Sequence, residues 1–404
     1  ATTSALALTL ASQAGAVELF PKSPGDPAGY SASIYGYARF GASYDIDENI
    51  AISTRAGSFG RINTGAAEDD EVTGHFGADA FQTRIGVMTM SPEGLKVVVE
   101  GDFRGGGGGS LRLRHGYGEY KGVLLGQTWS NFNSFVGNTS VLDFDGLAGN
   151  AGLQGRTPQA RYTSGPLSVS LEEPVSSANA QTNVTEQQVN LVTGEIEDVV
   201  VGVAGTSATL KRSLPTATAR FEESAGGLSY SAALAVQQVE VDNGSVDDSV
   251  VGFATFVAAK MALTDMVTIQ GALTYSDGGN AYLYRSGENF AAEDAYLVNG
   301  ELETIAGYGG TIGAGINLGG GRSINAGYGL VTVDWDDAED DYGTNAGAII
   351  GGKSETNQNA MVNYQWSPVK NMNLGVEYGY FKRENQNGDD GDAMRILFAG
   401  QYNF

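Results

Sequence analysis

The connections in this chain obey a parity. Extended stretches with apolar residues at every second position are joined alternately by very short turns and by longer segments. Ser91-Pro92-Glu93, Lys121, Gly165, Gly226, Thr264-Asp265, Gly319-Gly320 and Ser367-Pro368-Val369 are tight. Segments 47–80, 131–156, 175–214, 277–305 and 335–354 are long, with 105–109 and 384–391 as two brief connections on the long side. Sixteen strands fit between them, near 31–46, 81–91, 94–104, 110–120, 122–130, 157–164, 166–174, 215–225, 227–241, 248–262, 266–276, 306–318, 321–334, 355–366, 370–383 and 392–404. Such parity follows when odd hairpins face one side of a membrane and even hairpins the other. A soluble sandwich has no reason to keep it. The sequence therefore predicts an all-β fold, a 16-stranded antiparallel transmembrane β-barrel, with 31–404 as one unit.

The last strand displays the side-chain pattern. Met394, Ile396, Phe398, Gly400, Tyr402 and Phe404 fall on one face, and Arg395, Leu397, Ala399, Gln401 and Asn403 on the other. The first face suits lipid and the second water, with Leu397 the exception. In 94–104, Leu95, Val97, Val99 and Phe103 likewise oppose Lys96, Glu100, Asp102 and Arg104. In lipid every backbone N–H and C=O must be paired within the protein, so the first and last strands should pair with each other. Near sixteen strands, a closed barrel encloses an aqueous channel.

Composition agrees. Charged residues make up 17%, below the roughly 25% of soluble proteins. The chain has 59 Gly, and its 19 Tyr against 3 Trp supply turns and an amphipathic aromatic belt. Tyr35, Tyr37, Tyr364, Tyr378, Tyr380 and Tyr402 are expected in that belt or in subunit contacts. No run of 18 apolar residues marks a transmembrane helix. A net charge of −24 argues against general nucleic-acid binding. The absence of cysteine removes thiolate metal centres and disulfides. At the start, Ala5 to Ala11 is apolar and precedes the small-residue pattern Ala14-Gly15-Ala16. Residues 1–16 therefore read as the remnant of a secretory signal peptide, and 17–30 as a short N-terminal segment before the barrel.

Three stretches carry a family resemblance. One is Ile34-Tyr35-Gly36-Tyr37-Ala38-Arg39; a second is Thr83-Arg84-Ile85-Gly86 followed by Glu100-Gly101-Asp102-Phe103. The third is Leu111-Arg112-Leu113-Arg114-His115-Gly116-Tyr117-Gly118, leading to Leu125-Gly126-Gln127-Thr128-Trp129-Ser130 and Pro158-Gln159-Ala160-Arg161-Tyr162. In order and spacing they resemble the DcaP-like outer-membrane porins over about 31–165, and the terminal Phe404 fits the same comparison. The resemblance implies a Gram-negative outer membrane and a homotrimer of sixteen-stranded barrels. It also implies a preference for small anions, dicarboxylates among them. Some members carry a polar coiled-coil segment before the barrel. Here only Phe20 to Gly29 stands between signal and first strand, so a trimer is expected to rely on barrel-to-barrel packing.

A channel needs a constriction and a field. Parity puts Arg39, Arg84, Lys96, Arg104, Arg112 and Arg114 on faces opposite the apolar ones, and Arg161 begins a return strand. Such a wall of cations would attract carboxylates. The alternative is structural pairing with Glu100, Asp102 and Glu119. Segment 131–156 follows the fifth strand and is expected to fold inward as a constriction loop, with Asp143, Asp145, Phe132, Phe135 and Phe144 facing the arginines. The expected function is passive diffusion of small hydrophilic, preferentially anionic, solutes.

No cofactor or metal site is expected. His75 and His115 are distant from each other, and Gly105 to Gly109 lacks the ending of a phosphate loop. The acidic runs at Asp334, Asp336, Asp337, Glu339, Asp340 and Asp341 and at Asp389, Asp390 and Asp392 read as solvated outer loops. Divalent bridging to lipopolysaccharide is a weaker alternative. Partners are then outer-membrane lipids, lipopolysaccharide and solutes. Two other classes remain open: a secreted structural or adhesive β protein, and an outer-membrane barrel enzyme. The latter would need His115 as its base, on a strand and with no nucleophile motif beside it.

Overall fold

Alternation of apolar and polar residues builds a wall whose two faces meet different solvents. A computed structural model describes residues 17–20, 29–189 and 196–404 of the chain. The wall runs, in chain order, through β1 (Ser31–Asp45), β2 (His75–Asp79 and Arg84–Met90), β3 (Lys96–Gly105), β4 (Ser110–Tyr120), β5 (Val123–Trp129), β6 (Arg156–Ser164), β7 (Leu167–Glu172) and β8 (Thr216–Ala225). It continues through β9 (Leu228–Asp242), β10 (Asp247–Ala262), β11 (Val267–Asp277), β12 (Ala306–Gly319), β13 (Arg322–Val333), β14 (Ser354–Trp366), β15 (Met372–Asn385) and β16 (Asp390–Asn403). Strand β2 is one stave in two pieces, His75–Asp79 and Arg84–Met90, both paired with β1.

Each strand pairs antiparallel with the next, and β16 closes on β1 from Tyr37↔Asn403 to Asp45↔Arg395. This is the closed sixteen-stranded barrel expected from the connections. Below the end of β16, Val17–Phe20 adds a short strand to the same edge of β1, with Val17 opposite Ile34. The stretch read as a signal remnant, 1–16, lies outside the described residues. At the tight end, turns such as Gly226-Gly227 reverse the chain with φ of 59° and 88°, a region open to glycine without steric cost. At the other end a third brief connection joins β9 to β10 through Asn243 to Val246, beyond the two anticipated.

The outward face is apolar: Val99, Leu113, Leu125, Leu171, Leu273 and Ile312 are each more than half exposed on the bare barrel. Lipid is the solvent that such a band requires. The interior holds the side-chain core, formed between the wall and the long connections. Ile50, Phe59 and Ile62 of the first connection pack with Leu147, Leu283, Met361 and Phe381. Leu397 is thereby explained. It points inward and packs on Leu142.

Tyr35 and Tyr37 are corrected by the same parity. They share the face of Arg39 and are buried inside, at 3% and 2% exposure, whereas Tyr364, Tyr378 and Tyr402 point outward. Beyond the barrel rim the long connections form a second sheet. Ala178–Val189 and Ile196–Ser207 make a hairpin that runs parallel to Ala295–Val298, which pairs with Glu301–Thr304. The acidic run lies on the short helix α1 (Asp336–Tyr342), whose Asp336, Asp337, Glu339 and Asp340 are exposed.

Candidate pore constriction

The connection from β5 to β6 turns inward because its first residues find partners on the inner wall. Ser130 Oγ and the Asn131 N–H both donate to the Glu172 carboxylate, at 2.7 and 2.6 Å, and Asn131 Nδ2 donates to Thr218 Oγ1 at 2.9 Å. Phe132 then packs edge-on to Phe256 and Tyr282, with centroids 5.0 and 5.5 Å away.

The loop follows the inside of the wall so closely that glycines are required on both surfaces. A Cβ on Gly137 would lie 2.4 Å from the Gly271 carbonyl oxygen, and one on Gly329 2.2 Å from the Ala148 oxygen. Inward-facing amides fix the far end. Asn359 accepts from the Ala148 N–H at 2.9 Å and donates to the Gly146 carbonyl at 3.0 Å; Asn363 donates to the Ser140 carbonyl at 2.8 Å. Glu377, buried on β15, accepts the N–H groups of Leu142 and Asp143 at 2.7 and 2.8 Å, and Asn363 Nδ2 at 2.9 Å. Arg39 completes the circuit by donating to the Leu142 carbonyl at 3.0 Å.

Between this loop and the arginine-bearing strands lies a cavity of about 440 Å³. Arg39, Arg84, Arg104 and Arg156 border it on the wall side, and Phe135, Asp143, Phe144 and Asp145 on the loop side. Phe144 sits among guanidinium groups, with Arg84, Arg104 and Arg114 at 6.0, 5.2 and 5.8 Å from its centroid. Burial pushes the Asp145 carboxyl above the usual aspartate range, with Arg285 opposing and Asp143 adding to the shift.

The cations divide into two sets. Arg112 is held by Asp102 at 2.7 Å, and Arg114 by Glu100 at 2.9 Å and Asp102 at 2.8 Å. Arg114 is the extra residue of a bulge in β4, between His115 opposite Glu100 and Leu113 opposite Gly101. The bulge turns both Arg114 and His115 inward. His115 is buried beside Thr128 and Trp129. Lys96 lies 3.8 Å from Glu119. Structural pairing thus accounts for the contacts of Lys96, Arg112 and Arg114, and none of the three borders the cavity.

Among the described residues, Arg39, Arg104 and Arg156 make no ion pair within 4.0 Å, and Arg84 reaches Glu100 only at 3.9 Å. Arg161 sits elsewhere, on β6 opposite Leu124 and Ser170. Phe132 serves the core instead of the cavity. Sequence reasoning missed Arg156, Trp129, Tyr284, Phe290 and Glu377. Arg156 stacks 4.8 Å over Trp129 at the mouth of its strand, one residue before the span read as strand, so face parity could not place it.

Comparison with known proteins follows this geometry. The family described as DcaP outer membrane protein matches residues 345–404. No curated protein sequence matches the chain. The crystal structure of the outer membrane channel DcaP of Acinetobacter baumannii superposes with a TM-score of 0.73 at 26% identity, covering 93% of this chain and 98% of that one. OmpT of Vibrio cholerae aligns at 10% identity with a TM-score of 0.53, covering 95% and 100%. The anion-selective porin from Comamonas acidovorans aligns at 13% and 0.52, covering 93% and 100%. The last two share the fold alone. The closed barrel, the family match over residues 345–404 and the DcaP channel superposition together support a DcaP-like porin of the outer membrane.

Proposed function

We propose that the channel passes small hydrophilic solutes by passive diffusion and favours small anions, dicarboxylates among them. One observation carries the reading: three of the guanidinium groups bordering the constriction, those of Arg39, Arg104 and Arg156, have no carboxylate partner among the described residues. Arg104 over Phe144 and Arg156 over Trp129 are stacked on aromatic rings, and a guanidinium so placed offers a planar fork to a carboxylate. Several along one wall would let a solute with two carboxylates exchange one contact for the next, as conduction needs sites that bind weakly and repeatedly. Asp143 and Asp145 on the facing loop set a transverse field that would hold such solutes against the basic wall. Trimeric assembly belongs to the same reading and rests on the family resemblance.

The test is single-channel recording in a planar bilayer with a salt gradient. Wild type should show stable steps and a reversal potential on the anion side. The double variant Arg104→Ala/Arg156→Ala should move that potential toward the cation side. A cation-selective wild type, or a double variant with unchanged selectivity, would defeat the assignment of these arginines.

A further inference from the structure

The geometry points to Arg285 as the positioning residue that sets the aperture of the constriction, an inference that rests on the channel reading above. Arg285 lies in the connection from β11 to β12, with φ at 63° and 2% exposure. A non-glycine residue in the left-handed region is strained, and the strain persists where the surroundings over-determine it.

Those surroundings come from two other connections and the wall. One terminal nitrogen donates to the Gly146 carbonyl of the constriction loop, and the other to the Gly57 carbonyl of the first connection, both at 2.5 Å. The guanidinium lies 4.6 Å from the Phe59 centroid and 5.6 Å from that of Phe381. The carbonyl of Arg285 accepts from Asn357 Nδ2 of β14 at 3.0 Å.

Asp143 closes the ring. Its carboxylate accepts the N–H groups of Gly57 and Gly146 at 2.7 and 3.2 Å. Arg285 and Asp143 thus grip the same two glycines, one by the carbonyl and the other by the amide. Next to Arg285, the Tyr284 carbonyl accepts the Gly149 N–H at 3.0 Å, and Tyr284 and Phe290 border the cavity.

Among the described residues Arg285 has no carboxylate within ion-pair distance. The two carbonyls take up its terminal nitrogens, so the rigid fork is what spans the two loops. A lysine ammonium is a single point on a flexible stem and cannot hold both in one geometry.

The experiment uses purified full-length protein, with Arg285→Lys and Arg285→Ala compared with wild type. Both variants keep a non-glycine residue at φ 63°, so the backbone strain is common to all three. Liposome swelling with a small and a bulky anion reads the aperture, and reversal potential reads the charge.

Arg285→Lys should lose size discrimination while keeping the wild-type reversal potential. Arg285→Ala should lose size discrimination and shift the potential as well. Asn357→Ala, which frees only the wall anchor, should lose part of the size discrimination and serves if Arg285→Ala does not fold. Folded variants that keep the wild-type size limit overturn the role of Arg285, and so does Arg285→Lys restoring it fully. A wild type that does not conduct overturns instead the channel reading beneath it.

Discussion

Replacing Glu377 by alanine tests how the constriction loop is held. Its carboxylate receives two loop N–H groups at 2.7 and 2.8 Å. Hydrogen bonds to a charged group contribute about 1.5–3 kcal/mol each, so their loss weakens docking by about 3–6 kcal/mol. Water in the lumen rehydrates the freed donors, which favours the lower figure. About 3 kcal/mol is roughly a hundredfold in the ratio of docked to undocked loop. Asn359, Asn363 and Arg39 still hold their own points on the loop, so the barrel should remain intact and conducting. Excursions of the loop should become roughly a hundredfold more frequent on the same scale. Single-channel traces should therefore change from quiet open levels to flickering between two conductances. Glu377→Gln keeps one acceptor oxygen and turns an amide nitrogen toward a second donor, so it should flicker too, though less. Quiet traces at wild-type conductance from both variants would refute the claim that this carboxylate latches the loop.

Two further expectations concern charge. Arg114→Ala removes the close partner of the buried Glu100, which is left with Arg84 at 3.9 Å, and one of the two partners of Asp102. It should cost about 3–5 kcal/mol by leaving an uncompensated buried charge; heat-modifiable mobility should be lost at lower temperature, while folded channels keep their reversal potential. A potential that moves with Arg114 would place it in transport instead. The second concerns pH. Burial raises the Glu48 carboxyl of the first connection to about 7, and burial likewise raises Asp294, between β11 and β12, to about 7. Both values lie above those of the undocked loops, so the docked state binds more protons. Docking should weaken as pH rises from the ordinary carboxylate range through 7, and should be strongest at mildly acid pH. Hydrogen exchange of these loops at pH 5 and pH 8 checks the sign, and equal or greater protection at pH 8 would contradict it.

Much of the architecture was legible because a membrane barrel is constrained locally. Its strands must alternate, its turns must obey parity, and its edges must close. Each constraint is visible within some ten residues or in the spacing of connections. Thus Arg395 and Ile396 could be assigned to opposite faces from their neighbours alone. The arginines of β1 to β4 were placed inside for the same reason. Position near a strand end misled where parity did not. It puts Tyr35 and Tyr37 in the interfacial belt or in subunit contacts, yet they share the inward side of Arg39.

The number of staves, their faces and the connection that enters the lumen are legible in the residues alone. Which lumen cations lack a carboxylate partner among the described residues follows from tertiary contacts alone. Arg112 and Arg114 stand two apart on one strand, which by alternation alone sets both on one wall. Their neutralisation by Asp102 and Glu100 depends on the register of β3 against β4 and on the bulge between them. Arg156, Arg285 and Glu377 gained their roles from elements far apart in the chain. The hydrogen bond from Arg285 to Gly57, for instance, spans 228 positions. Local periodicity reports which way a side chain points, whereas what it meets there is set by the closure of the barrel and the path of the loops within it.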